Sequence, residues 1–275
     1  MADGPVGART TAGCLVTVTD VTAGIVPPQQ GDEFVLAVEG LTVSFDGFKA
    51  VDDLSLYVQK GEVRAIIGPN GAGKTTVLDL ISGRTRASSG EVKFKGHELT
   101  KLREHEIVRL GVGRKFQTPS VYESLTVREN LEMSYPRGRS VFGAWLFRCT
   151  AEVSERVESV AETIHLPNRL DDAAELLSHG EKQWLEIGML LIQEPELMML
   201  DEPVAGMSVN ERERTAELIN RISQGRAVII VEHDMEFVRK IAGVVTVLHQ
   251  GRWLAEGKMD TVQADPKVIE VYLGH

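Results

Sequence analysis

Cysteine is scarce: the 275 residues carry two, Cys14 and Cys149, in no metal-ligand spacing. That pattern offers no thiolate metal site, and two reduced thiols are expected rather than a disulfide framework. An excess of positive charge is also missing. Lys plus Arg number 30 against 40 Asp plus Glu, a formal net charge of −10. A protein that tracks a phosphate backbone needs a basic face, so nucleic-acid binding is set aside. No apolar run approaches the roughly 18 residues that span a bilayer. The opening "MADGPVGARTTAG" has one Arg and no apolar segment, so no secretory leader is expected. No internal repeat is visible. What remains is a chain long enough to bury a full core, in one large or two modest domains.

Residues 1–33 are rich in Gly, Pro, Thr and Ala, and "IVPPQQGDE" reads as a linker. "CLVTVTDVT" alternates like a strand with no evident sheet to join, so this segment is expected to be a flexible extension. The pattern changes at Phe34. "FVLAVEGLTVSF" and "LSLYVQKGE" predict short strands, "VRAIIG" a buried strand, and "EVKFKG" and "GVGRKFQ" two more. Residues 126–176 are helical in character. Three strand-then-helix units follow: "ELMML" with a helix near 209–223, "RAVIIVEH" with one near 234–242, and "VVTVLHQG" with one near 266–273. This alternation implies an α/β fold, a mostly parallel sheet flanked by helices. The expected organisation is one domain over 34–275: a P-loop core, an N-terminal antiparallel β region, and a helical subdomain inserted at about 118–194.

"GPNGAGKTT" matches G-x-x-x-x-G-K-[ST], between the strand "VRAIIG" and the apolar helix "TTVLDLI". Gly68, Pro69, Asn70, Gly71, Ala72 and Gly73 form a turn whose backbone N–H groups point inward at phosphate oxygens. Lys74, Thr75 and Thr76 open the helix, and its N-terminus adds a favourable dipole. Lys74 would meet the β and γ phosphates, and Thr75 would ligate Mg²⁺.

The strand in "LMMLDEP" ends in Asp201 and Glu202. Beside a phosphate loop, Asp201 would sit near Mg²⁺ and Glu202 would act as general base on the attacking water. Gln117 follows the strand "GVGRKF". Its amide can ligate the ion, or it can be an ordinary polar strand end. His233 closes "AVIIVEH" at the carboxyl edge of the sheet, where ligands bind. It can hydrogen-bond the γ-phosphate or be incidental.

"LLSHGEKQW", Leu176 to Trp184, precedes another apolar stretch. Ser178 can cap the helix that follows, and it can equally belong to a binding site. The order of these motifs (P-loop, Gln117, "LSHGEKQ", "LMMLDEP", "VEHD") resembles the ATP-binding cassette (ABC) family, from about residue 34 to the end. The resemblance implies that Ser178, His179, Gly180 and Glu181 bind the γ-phosphate of ATP held by a second cassette. In that family the signature usually reads L-S-G-G-Q, so His179 and Glu181 are departures. His179 is expected to point away from ATP, and Glu181 to face Lys182 or solvent. Phe45 lies where the family places an aromatic that stacks on adenine, although a core Phe is an equal reading. "VAGMS", Val204 to Ser208, lies where the two cassettes touch.

"GRKFQTP" and "SHGEKQWLEIGMLL" resemble the branch that imports branched-chain amino acids and urea or short amides, closest to its urea-type ATPase. The resemblance implies an ATPase using ATP and Mg²⁺, peripheral on the cytoplasmic face of the membrane. Its partners would be a second ATPase subunit (like or unlike), membrane permease subunits and, indirectly, a periplasmic solute-binding protein. A branched-chain amino acid importer is the nearest alternative. Non-transport ABC ATPases of DNA maintenance usually carry coiled coils between P-loop and signature, whereas here residues 74 to 178 leave little room. Translation-type members carry two cassettes per chain. A small-molecule kinase would lack the signature.

Overall fold

The computed structural model describes residues 34–116, 120–136 and 150–273. The N-terminal extension, Gln117 and both cysteines lie outside the described residues. Two sheets organise the rest. Strands β1 (Phe34–Phe45) and β2 (Phe48–Gln59) form a long antiparallel hairpin, which β4 (Ser89–Phe94) and β5 (His97–Glu98) extend into a four-stranded sheet of order β2-β1-β4-β5. The second sheet has the order β10-β9-β3-β8-β7-β6, from β10 (Arg252–Gly257), β9 (Val244–His249), β3 (Val63–Ile67), β8 (Ala227–Val231), β7 (Leu197–Asp201) and β6 (Val112–Lys115). All its pairings are parallel except β10 with β9.

Every residue of β3, β7 and β8 is buried, as a parallel sheet covered on both faces requires. The pleat divides the core in two. Leu197 and Met199 of β7 pack with the antiparallel sheet and with α1 (Lys74–Ile81). Met198 and Leu200 face the opposite way, onto α3 (Val127–Ser134), α4 (Ala151–Thr163), α5 (His179–Leu191) and α6 (Val209–Ile222). Trp184 ties α5 to α6, its indole N–H donating to Thr215 Oγ1 at 2.8 Å.

The helix after β8 is α7 (Met235–Ile241), and the chain closes with α8 (Met259–Ala264) and α9 (Pro266–Leu273). Four short elements were absent from the sequence expectation: α2 (Glu104–Arg109), β5, β10 and α8. Their lengths, 6, 2, 6 and 6 residues, give hydrophobic periodicity little to register. The helical character expected over 126–176 is found in α3 and α4 but not beyond them. Residues 164–178 hold only two single 3₁₀ turns, at Pro167–Arg169 and Ala174–Leu176. His165 turns left-handed at φ 63 just past α4, and Pro167 follows, so the helix cannot continue.

Candidate functional site: a phosphate loop beside two carboxylates

The turn between β3 and α1 is held close to two neighbouring segments. Gly73 caps α1 at φ 95, and a Cβ there would stand 2.3 Å from the Ala50 carbonyl of β2. No other residue type fits both that conformation and that approach. The Lys74 ammonium folds back over its own loop, donating to Gly68 O at 2.8 Å and Pro69 O at 3.0 Å. Burial pulls the Lys74 pKa down, and the charges of Glu202 and Asp201 partly restore it. A cation held by two neutral carbonyls over a glycine turn is well placed for an anionic ligand.

Parallel pairing of β7 with β8 and of β8 with β3 sets Asp201 and Glu202 beside this loop. Asp201 is the last residue of β7 and is buried, with the Thr75 hydroxyl hydrogen-bonded to it. Burial pushes its carboxyl up, opposed first by Arg114 and then by Thr75. Arg114 Nη2 lies 3.7 Å from Asp201 Oδ2, while its Nη1 donates to Asp79 Oδ1 at 2.7 Å. A carboxylate beside a hydroxyl is a hard oxygen donor set that fits Mg²⁺, an ion that takes one or two carboxylates and completes its shell with phosphate and water.

Glu202 adopts φ 46, a left-handed conformation unusual for a non-glycine residue, which turns its side chain away from the strand. Its N–H bonds Val231 O at 2.9 Å, so the turn is fixed against β8. His233 follows β8 by two residues, with Nδ1 3.8 Å from Glu202 Oε1 and 3.7 Å from Glu232 Oε2. Sequence reasoning missed Glu232. Its buried carboxylate accepts from the N–H groups of Val204 (3.2 Å), His233 (3.0 Å) and Asp234 (3.4 Å). It thereby joins the loop after Glu202 to the loop carrying His233. Burial pushes the Glu232 carboxyl up, and those amides pull it back.

The structure thus brings together Lys74, Thr75, Asp201, Glu202 and His233. Residues 178–181 stand apart, and no hydrogen bond or ion pair among the described residues joins them to residues 68–76. Ser178 is the N-cap of α5, with its Oγ accepting from Glu181 N at 3.2 Å and its N–H donating to Glu181 Oε2 at 2.8 Å. Glu181, expected to face Lys182 or solvent, faces Ser178 and Arg169 (3.7 Å) with its side chain still 25% exposed, while Lys182 pairs with Glu123 at 2.6 Å. Neighbours in sequence point to different sides of a helix, while residues three apart meet. The His179 ring turns to Ala205 O at 3.1 Å and packs beside Gly206. Phe45 and Phe48 face each other across the β1–β2 turn, 49% and 66% exposed, which rules out a core role for Phe45. Phe48, a second exposed aromatic two residues before Ala50, was not anticipated.

Comparison with known proteins agrees with this geometry. The family model described as "ABC transporter" matches residues 51–205, and one described as "Branched-chain amino acid ATP-binding cassette transporter" matches residues 254–275. A probable branched-chain amino acid transport ATP-binding protein LivG of Archaeoglobus fulgidus is 36% identical over 247 residues, 87% of this chain and 95% of the relative. The high-affinity branched-chain amino acid transport ATP-binding protein BraF of Pseudomonas aeruginosa is 34% identical over 249 residues, 87% and 98%. A crystal structure of an ABC transporter's ATP-binding cassette in its ADP conformation superposes with a TM-score of 0.78 at 32% identity, covering 88% of this chain and 100% of that one. The chain therefore belongs to the ABC transporter family as an ATP-binding subunit, an ATPase that uses ATP with Mg²⁺ and couples hydrolysis to transport.

Proposed function

We propose that this subunit energises a bacterial-type importer of branched-chain amino acids. The observation carrying the catalytic half is the convergence of Lys74, Asp201, Glu202 and His233 at the carboxyl ends of β3, β7 and β8. Lys74 leaves its loop carbonyls to neutralise the β and γ phosphates. Backbone N–H groups of residues 68–76 hold the phosphate oxygens, with Phe45 or Phe48 against the adenine. Thr75 and Asp201 would hold Mg²⁺, with the Gln117 amide as a further ligand, and the ion would offset charge on the phosphates. Glu202 accepts the proton of the attacking water, and His233 steadies the γ-phosphate. Ser178 and Gly180 meet the γ-phosphate of ATP carried by a second cassette, like or unlike, so that two ATP molecules close a head-to-tail dimer. Closure favours one state of the partner permeases, and hydrolysis releases it.

None of the helices among the described residues is long and apolar enough to cross a membrane. The permeases supply the anchor in this reading, with the cassette on the cytoplasmic face and the helices of 118–194 docked against them. A periplasmic solute-binding protein delivers the solute.

The solute reading follows the relatives, which are named for branched-chain amino acid transport. The motif wording alone pointed to urea, with amino acids as the alternative. The relatives and the matched C-terminal segment favour that alternative. Deleting the subunit should abolish high-affinity uptake of labelled leucine and spare urea uptake. Loss of urea uptake with leucine intact would reverse the assignment.

A further inference from the structure

We propose that Glu211 gates the signature half-site: its carboxylate holds the Ser178 hydroxyl within the chain and must be displaced before that hydroxyl can take a partner's γ-phosphate. The inference rests on the dimer reading above.

Ser178 Oγ lies 3.3 Å from Glu211 Oε1 and accepts from Glu181 N. A hydroxyl has one proton to donate. While it points to Glu211, it is not offered to a phosphate. The same carboxylate covers Gly180: a Cβ on that glycine would lie 2.4 Å from Glu211 Oε1. Gly180 is where the backbone must let a phosphate come close, and a negatively charged oxygen sits over it instead. Glu211 is anchored from its other oxygen, which accepts from Ser208 N at 2.8 Å and Ser208 Oγ at 2.7 Å. Those bonds, the backbone one first, hold the Glu211 carboxyl below the usual carboxylate range, so it carries full charge at neutral pH.

The latch reaches the loop after the catalytic carboxylates. Ser208 ends the segment 204–208, and His179 grips the same segment at Ala205 O and Gly206. The Trp184–Thr215 hydrogen bond fixes α5 against α6, so the two halves of the latch cannot drift apart without side-chain rotation. An incoming triphosphate must rotate Glu211 away. That coupling ties engagement of the signature half-site to the loop next to Glu202, and it assigns His179, one of the two departures from the family pattern, a positioning role.

The test uses Glu202→Gln subunits, so that ATP is bound without turnover, and follows dimer formation by light scattering as Mg·ATP is titrated. Glu211→Gln keeps one acceptor oxygen, for Ser208, and sets an NH2 donor toward Ser178 in place of the charged oxygen. In the Glu202→Gln background it should lower the half-maximal ATP concentration about fivefold at low salt, the factor for one unit charge about 4 Å from another in water. The gain should shrink in 1 M salt, where screening reaches about 3 Å. Binding of ATP to dilute monomers should not change. Glu211→Ala should move the midpoint the same way, with a lower melting temperature from the lost cap. An unchanged or raised midpoint in both variants would overturn the proposal. Ser178→Arg separates the two ideas: ATP-driven dimers in that variant would sink the underlying dimer reading itself, whereas their absence beside an unmoved Glu211→Gln midpoint would sink the gate alone.

Discussion

Replacing Lys115 with methionine should destabilise the protein far more than the loss of a surface charge would. Lys115 ends β6 with its side chain fully buried, and its Nζ stands 3.4 Å from Glu186 Oε2 on α5, itself 7% exposed. Burial pulls the Lys115 pKa down and pushes that of Glu186 up, so the pair persists because each charge offsets the other. Removing one partner leaves the other buried and uncompensated, at a cost of about 3–5 kcal/mol. For a chain of this size that is a fall in Tm on the order of 10 °C. The pH dependence follows from Glu186. Its folded pKa is raised above its ordinary value, and further without Lys115, so the native state binds more protons than the unfolded one and stability falls as pH rises. The Lys115→Met deficit should therefore be large at pH 8 and smaller near pH 5. The double variant Lys115→Met/Glu186→Leu should recover most of the loss at both. Thermal unfolding by circular dichroism across that range checks this. A deficit under about 1 kcal/mol, or one that ignores pH, would refute the buried-pair argument.

Two further expectations concern the phosphate loop. Lys74→Ala should cost most of the ATP affinity while leaving the fold intact, since among the described residues its ammonium hydrogen-bonds two carbonyls of its own loop; calorimetry with Mg·ATP tests it. Gly73→Ala should lose ATP binding as well, but through the loop itself, because its Cβ would collide with Ala50 O at a left-handed φ; hydrogen exchange across 68–76 should then rise.

The sequence made legible what is local. The glycine spacing of 68–73, the lysine after it and the acidic end of "LMMLDEP" each need only a few adjacent residues, and the structure gathers them at one sheet edge. β3, β7 and β8 were readable because burial on both faces demands unbroken apolar runs. Partnerships across the fold were not readable. Arg114 with Asp201, Lys115 with Glu186, Glu232 with Val204 and Ser178 with Glu211 join residues 28 to 87 positions apart by numbering, and nothing near either partner announces the other. Glu181 keeps partial exposure to solvent, one of the two surroundings expected of it; Lys182, the other, is its neighbour in sequence, but helix geometry gave Glu181 Ser178 instead. Glu211 had a local signal, the S-x-x-E of "SVNE", which predicts its cap on Ser208 but not its reach to Ser178. The transported solute left no mark in the site, since no ATPase residue has to touch it.

The most direct measurement on the central claim is ATP turnover and particle mass of Glu202→Gln side by side. With the phosphate loop and Asp201 intact, the variant should bind Mg·ATP as well as the native chain. It should turn over at least about 100-fold more slowly, the usual worth of a positioned general base, and should accumulate as an ATP-bound dimer. Hydrolysis close to the native rate would contradict the assignment of Glu202 and, with it, the reading of this sheet edge as the site of catalysis.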